Sequence, residues 1–228
     1  MRNEYFRKYF LERSFDNVNK FKSHGPLITI ARDFGCYSSQ IADLLASRLN
    51  QESKTDNKWL WLSNEILTEA AQSLEVEPAK IAHIFGAEER PFIQEIIESL
   101  STKKYVCDEN IKKTIVRIVQ KYAEQGNVII VGRASSAITQ HIKQAIHVKF
   151  IAPVDWRVKQ IQQRFDLSDI EARKKLQAVD ERRRVFMSYY GGDKHDSDLY
   201  DVVFNRSRMS EEEIVESIIS LSKMKKLI

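Results

Sequence analysis

The sequence predicts a three-layer α/β/α fold, with a parallel sheet covered by helices on both faces. Three observations carry this expectation. Short apolar runs rich in β-branched residues, "LITIA", "NVIIV", "AIHVKFI" and "LYDVVFN", recur along the 228-residue chain. Segments with helical spacing of apolar positions separate them. Strands alternating with helices, each strand apolar throughout, are the pattern of a buried parallel sheet.

Residues 1–25 hold Tyr5, Phe6, Tyr9 and Phe10 at helical spacing, which predicts an amphipathic helix broken by His24, Gly25 and Pro26. "LITIA" reads as the first strand, and Ile41, Leu44, Leu45 and Leu49 mark one face of the helix after it. Residues 63 to 105 read as helices broken at Pro78, Gly86 and Pro91. Asp108 fits the N-cap of a helix running to about Gln125, with Gly126 as its stop. "NVIIV" is a second strand, followed by "GR" and a helix over "ASSAITQHIK". "AIHVKFI" is the third strand, and "VDWRVKQIQQRF" returns to helix. Capping boxes open two more helices, Ser168 with Glu171 and Ser210 with Glu213, on either side of the last strand, "LYDVVFN". Asp201 in that strand, and Trp59, Trp61 and Trp156, read as structural.

No apolar run approaches the ~20 residues of a membrane span, and the charged N-terminal stretch has no cleavage site, so a cytoplasmic protein without membrane partners is expected. Cys36 and Cys107 form no metal spacing, and the five histidines are scattered, so no metal ligands are expected from Cys and His. The formal net charge is +4, and the stretch from Arg157 to Arg184 holds nine Lys and Arg against five Asp and Glu. Such a stretch suits the phosphates of a small ligand or of nucleic acid. It lacks interleaved aromatics and a nucleic-acid motif, so nucleic-acid binding through this basic stretch is only a remote alternative.

The segment "ITIARDFGCYSSQIADLLASRL" is a strand, a glycine turn and a helix. That order places backbone N–H groups at a helix N-terminus, where they favour an anion. Gly35 can adopt a positive φ, and Ser38 and Ser39 add hydroxyls. Taken alone, so short a match also fits an ordinary βα turn. The pattern G-x-x-x-x-G-K-[ST] is absent, because both the second glycine and the lysine are missing.

Four stretches together, "ITIARDFGCYSSQIADLLASRL", "VIIVGRASSAI", "HVKFIAPVDWRVKQI" and "DERRRVFMSYYGGDKHDSDLYDVVFNRSRMSEEEIVESI", resemble the cytidylate kinase-like family of nucleoside-monophosphate kinases. Arg32, Asp33, Phe34, Gly35, Ile41 and Ala42 match its form I-S-R-E-[YF]-G-S-G-G-[RH]-E-I-A or close variants. The resemblance runs from about residue 26 to 222 and leaves out the N-terminal helix. It implies a nucleotide-kinase fold with five parallel strands in one domain: a phosphate-loop unit at 26–59, a helical monophosphate-side insertion at 60–125, core at 126–156, a lid-like hairpin at 157–190, and core again at 191–228. It implies ATP-dependent phosphorylation of a nucleoside monophosphate, CMP or dCMP first, with ATP and Mg²⁺ as cofactors.

The resemblance also implies roles. Gly35, Cys36, Tyr37, Ser38, Ser39 and Gln40 would hold the donor phosphates. Arg133, in the position of the family's G-R-D arginine, would hold the acceptor phosphate, although the aspartate of that motif is Ala134 here. Arg157, Arg164 and Arg182 would stabilise the transferring group, and Asp180 and Arg183 would serve the substrate side. Asp180 fits three roles: orienting an arginine, contacting substrate, or forming a surface ion pair. No protein ligand for Mg²⁺ stands out, and Ser39 or Gln40 is a poor substitute for one. This family branch lacks the loop lysine, and Cys36, Tyr37 and Ser38 stand where small residues are expected. Arg32 is the nearest cation in sequence, at the strand exit, while the hairpin arginines are better placed if the hairpin closes. Low or undetectable kinase activity, with nucleotide binding partly retained, is therefore expected. The alternative is a nucleotide- or anion-sensing protein on the same scaffold. The sequence leaves a homodimer open.

Overall fold

The computed structural model describes residues 25–53, 57–74, 109–192 and 194–228. The N-terminal aromatic segment, the part of the helices expected over 63–105 that follows residue 74, and the Asp108 cap lie outside them. Among the described residues five strands form one sheet: β1 (Leu27–Arg32), β2 (Leu60–Leu62), β3 (Val128–Val131), β4 (Ala145–Ile151) and β5 (Val202–Asn205). Their order is β2-β3-β1-β4-β5, and every pairing is parallel. The expected α/β/α architecture is the one observed.

Four of the strands coincide with the apolar runs. The fifth, β2, is the three-residue "LWL". It is too short to show a period, and the sequence reading placed it at the start of the helical insertion. It pairs Trp61 with Ile129 and Leu62 with Ile130 at the sheet edge.

Helices cover both faces. On one face α1 (Ser39–Glu52) and α8 (Glu211–Met224) bury Ile41, Leu45, Leu49, Ile214 and Ile218 against Ile28, Ile30, Val148 and Phe150. On the other, α2 (Asn64–Ser73), α3 (Glu109–Gln125) and the single turn α4 (Ser135–Ile138) bury Ile66, Ile115, Val119 and Ile138 against Leu27, Leu62, Val128 and Ile130. The helix expected over "ASSAITQHIK" is thus one turn long. Ala134 before it is left-handed, with φ +52°, and Thr139 after it leaves helical geometry.

A hairpin of α5 (Val154–Phe165) and α6 (Asp169–Gly191) follows β4. The Ser168–Glu171 capping box forms as expected, and so does Ser210–Glu213 on α8. α6 continues through Tyr189 and Tyr190, which were read as the end of the hairpin, and stops before Gly192 at φ +65°. Val158, Ile161, Ala172, Leu176 and Val179 of the hairpin enclose Phe34 of the glycine loop in a third apolar cluster. The one-turn helix α7 (Asp196–Leu199) then leads into β5.

Structural readings of single residues hold. Asp201 accepts the His147 amide and pairs with Lys225, and Trp59 and Trp61 are buried. Among the described residues no helix is long and apolar enough to cross a membrane.

Candidate functional site

Ligands of parallel α/β sheets bind outside the carboxyl ends of the strands. A cavity of about 840 Å³ lies there. Its walls are the glycine loop after β1, Ser63 and Asn64 after β2, Gly132 to Ala134 after β3, Lys149 near the end of β4, and the hairpin residues Arg164, Asp180, Arg182 and Arg183.

The glycine loop is closed by its own contacts. The Cys36 amide donates to the Asp33 carbonyl at 3.1 Å, across a turn that puts Gly35 at φ +91°. A Cβ on Gly35 would lie 2.9 Å from the Arg157 carbonyl and Cβ, so only glycine fits. The Asp33 amide donates to Phe150 at 3.0 Å, and the Phe34 amide donates to Asp180 Oδ1 at 2.8 Å. Three loop N–H groups therefore already have protein acceptors.

The expected donor-phosphate residues are only partly assembled. Cys36 is packed into the core beside Ile30, Ile41 and Phe150, and burial first, then the neighbouring Asp33 charge, pushes its thiol pKa up to about 12. Its side chain fills the core, while the residue still borders the cavity. Ser38 is buried at the start of α1 without making a side-chain cap; it borders the cavity with Gly35 and Cys36, whereas Ser39 and Gln40 do not. Tyr37 does line it, with the Arg164 guanidinium 4.2 Å from its ring centroid.

Arg157 corrects a second expectation. It is 7% exposed, and its guanidinium donates to Ala152 O at 3.0 Å, to Phe34 O at 3.2 Å and to Asp180 Oδ2 at 2.5 Å. It positions the loop instead of facing the cavity. Asp180 forms neither a surface pair with a helix neighbour nor a purely substrate-facing group. It holds Arg157 with one oxygen and the Phe34 amide with the other. Arg182 and Arg183 line the cavity as expected, and Arg183 Nη1 donates to the Arg32 carbonyl at 3.0 Å.

The exit of β3 is the strained part of the site. Gly132, Arg133 and Ala134 follow one another at φ +76°, +60° and +52°. A left-handed conformation costs a non-glycine residue roughly 1–2 kcal/mol. Arg133 and Ala134 both bear it, and such strain gathers at functional sites. Arg133 is only 8% exposed yet borders the cavity. Its Nε donates to Ser63 O at 3.2 Å and its Nη2 to Asn64 Oδ1 at 2.7 Å, which fixes the guanidinium plane from β2.

The sequence reading missed an ionic group at the back of the cavity. Lys149 Nζ lies 2.5 Å from Asp196 Oδ2 and 3.7 Å from Asp33 Oδ1, and 5.7 Å from the Tyr200 ring centroid. Burial opposes the Lys149 charge, but Asp196 and Asp33 hold its pKa above the ordinary lysine value. Burial raises the Asp33 pKa despite Lys149 and Arg157 nearby. A legible signal existed: Lys149 interrupts the apolar run "AIHVKFI" of an inner strand. Among the described residues no three His, Cys, Asp or Glu side chains converge to hold a metal ion.

Comparison with known proteins fits this architecture. The model of the cytidylate kinase-like family matches residues 27–208. A cytidylate kinase of Methanopyrus kandleri is 29% identical over 119 residues, 47% of this chain and 62% of that protein. One of Ignicoccus hospitalis is 30% identical over 112 residues, 49% of this chain and 64% of that protein. The matched segments thus span less than two thirds of these relatives. Among solved structures, an uncharacterized protein from Eubacterium ventriosum superposes with TM-score 0.62 at 21% identity, over 87% of this chain and 98% of that one. Shikimate kinase from Acinetobacter baumannii, in complex with shikimate, superposes with TM-score 0.51 at 12% identity, over 90% and 96%. At these identities the superpositions establish the fold alone.

Proposed function

The chain belongs to the cytidylate kinase-like family, and on that premise we propose that its cavity binds a nucleoside monophosphate, CMP or dCMP first, and phosphorylates it slowly from ATP. The observation that carries this reading is Arg133. A buried guanidinium, held by Ser63 O and Asn64 Oδ1 on a left-handed backbone, borders the cavity at a strand end. A guanidinium so fixed suits two oxygens of a phosphate monoester.

The chain's own residues divide the work as follows. Arg133 anchors and orients the acceptor phosphate. Arg182 and Arg183, on the hairpin side, add positive charge where phosphoryl transfer builds negative charge. Arg157 and Asp180 keep the hairpin docked on the glycine loop, and Phe34 seals that contact against water.

The donor side fits less well. ATP, when bound, would supply the transferred phosphoryl group, but the loop amides of Asp33, Phe34 and Cys36 already have acceptors, and Tyr37 stands beside Arg164. Mg²⁺ binding usually draws on one or two carboxylates plus nucleotide phosphates. Here Asp180 is held by Arg157 and Asp33 lies near Lys149, so the ion would arrive on the nucleotide.

The closed loop favours a second reading, a protein that binds nucleotide without turnover. Nucleic-acid binding gains no support, since Arg173 pairs with Asp169 and Asp155, and Arg184 with Glu181. A cytoplasmic setting, where CMP and ATP are both available, goes with either reading. Incubating the protein with ATP·Mg²⁺ and each nucleoside monophosphate, and measuring diphosphate formed, separates them. Slow CDP or dCDP formation supports the kinase reading. CMP binding without product supports the second, and neither binding nor product overturns both.

A further inference from the structure

We propose that Asp33 is a specificity-determining residue of this cavity, whose carboxylate accepts a hydrogen bond from an uncharged donor of the bound nucleotide, a sugar hydroxyl or the exocyclic amine of cytosine. The inference rests on the nucleotide reading of the cavity and names the side chain that reads a part of the ligand other than its phosphate.

The carboxylates that border the cavity are not equivalent. Asp180 holds Arg157 and the Phe34 amide. Glu181 holds Arg184, and Asp196 holds Lys149. Among the described residues the Asp33 carboxylate makes no hydrogen bond. Its ion pair with Lys149 is long, 3.7 Å from Nζ to Oδ1, while that ammonium lies 2.5 Å from Asp196 Oδ2. Asp33 is nonetheless fixed in place. Its amide donates to the Phe150 carbonyl at 3.0 Å, and its own carbonyl accepts from the Cys36 amide at 3.1 Å. Its side chain is 29% exposed and borders the cavity.

A carboxylate this far withdrawn from water needs donors. Burial is the largest influence on Asp33 and raises its pKa, and the charges of Asp180 and Asp196 act in the same direction against Lys149 and Arg157. A phosphate dianion does not meet the need. It has no proton to give, and it would add negative charge beside Asp33 and Asp196. A hydroxyl or an amine gives a proton without adding charge, and its bond to an ionised carboxylate is one of the stronger kinds. Such a contact discriminates, because a ligand without the donor leaves the carboxylate unpaired once the site is filled. The same charge bears on the glycine loop, which Asp33 opens: it opposes the triphosphate that a loop lysine would attract.

Calorimetric titrations of the full chain, at about pH 8 where a phosphate monoester is dianionic and without divalent cations, test this. The probes are CMP, dCMP, UMP, cytidine and inorganic pyrophosphate. Asp33→Ala should bind CMP and cytidine about tenfold or more weakly, the scale of a charged hydrogen bond. It should bind pyrophosphate at least as tightly as wild type, since a like charge is gone. Asp33→Asn keeps one acceptor oxygen, so its CMP affinity should fall between the two. A loss of affinity for every probe, pyrophosphate included, would show a structural role and overturn the proposal. Where the wild type binds no pyrophosphate, thermal unfolding is the control, and a lowered midpoint together with lost CMP binding overturns it. CMP binding in Asp33→Ala within about twofold of wild type also overturns it, and the monophosphate reading then stands without Asp33. Equal wild-type affinity for CMP and cytidine would remove the phosphoryl reading instead, and the loss of cytidine affinity would still decide for Asp33. No wild-type binding of either ligand overturns both. A loss that disappears with dCMP assigns the donor as the 2′-hydroxyl, one that disappears with UMP assigns the amine, and one that persists with both assigns the 3′-hydroxyl. Should Asp33→Ala fail to fold, Asp33→Asn carries the test through the same opposition of CMP and pyrophosphate.

Discussion

The main-chain amide of Phe34 donates to the Asp180 carboxylate at 2.8 Å, across 146 residues of sequence. The other carboxylate oxygen pairs with Arg157, so one side chain ties the glycine loop to both helices of the hairpin. In a phosphate-binding loop, backbone amides are the groups offered to the anion. Here a carboxylate from the protein itself has taken one of them.

Removing that carboxylate should loosen the fold. Asp180→Ala leaves the Arg157 guanidinium, whose side chain is 8% exposed, without its counter-ion. Losing one partner of a fully buried pair costs about 3–5 kcal/mol, and the 29% exposure of the Asp180 side chain lowers the expected loss to about 2 kcal/mol. Urea unfolding of Asp180→Ala, Arg157→Ala and the double variant checks it. The double variant should lose less than the two singles together, because they remove the same pair. Additive losses would mean the ion pair contributes nothing.

Arg133 separates binding from backbone strain. Arg133→Ala should weaken CMP binding by about 1.5–3 kcal/mol, as expected for a hydrogen bond to a charged group. Arg133→Gly should lose the same affinity while recovering about 1 kcal/mol of stability, since glycine adopts φ +60° freely. Calorimetry and thermal unfolding read the two effects. Unchanged CMP affinity in both variants would remove Arg133 from the site.

The glycine loop can be asked whether its phosphate geometry survives. Tyr37→Gly removes the ring beneath Arg164, and Tyr37→Gly with Ser38→Lys also adds the missing charge. If the loop can still open around an anion, the double variant should bind ATP·Mg²⁺ more tightly than wild type, and Tyr37→Gly alone should show the steric share. No gain in either variant would mean that the Asp33–Cys36 turn and the Phe34–Asp180 bond have closed the loop for good.

Much of this scaffold was legible because it repeats simple signals. β-branched runs marked four strands, and the two Ser–x–x–Glu boxes formed as written. Three-residue β2 escaped because it owes its existence to pairing with β3, not to any local period. The site was legible in part. Arg133, Arg164, Arg182 and Arg183 do line one cavity, but Arg157 does not, and Cys36 borders it while its side chain packs into the core. Sequence identifies an arginine but not the carboxylate that will claim it. Asp180 is 23 residues from Arg157, and only the folding back of α6 on α5 brings them together. The Arg32 guanidinium lies against Gly132 on a different strand, a neighbour that sequence order does not show.

Cys36 gives a check on the core assignment of the loop. With its thiol pushed up to about 12, it stays protonated near neutral pH and is sealed beneath the sheet face. In a Cys107→Ser background the native protein should resist iodoacetamide at about pH 8 and react only when denaturant is added. Rapid labelling of the native protein would show a loop more open than this structure.

The central claim is that the arginine-lined cavity binds its ligand through a phosphoryl group. Titrating wild-type protein with CMP and with cytidine, under identical salt, tests it most directly. The account predicts that CMP binds at least about tenfold more tightly than cytidine, and that the difference shrinks as salt is raised. Equal affinity for the two, or no binding of either CMP or dCMP, would contradict it.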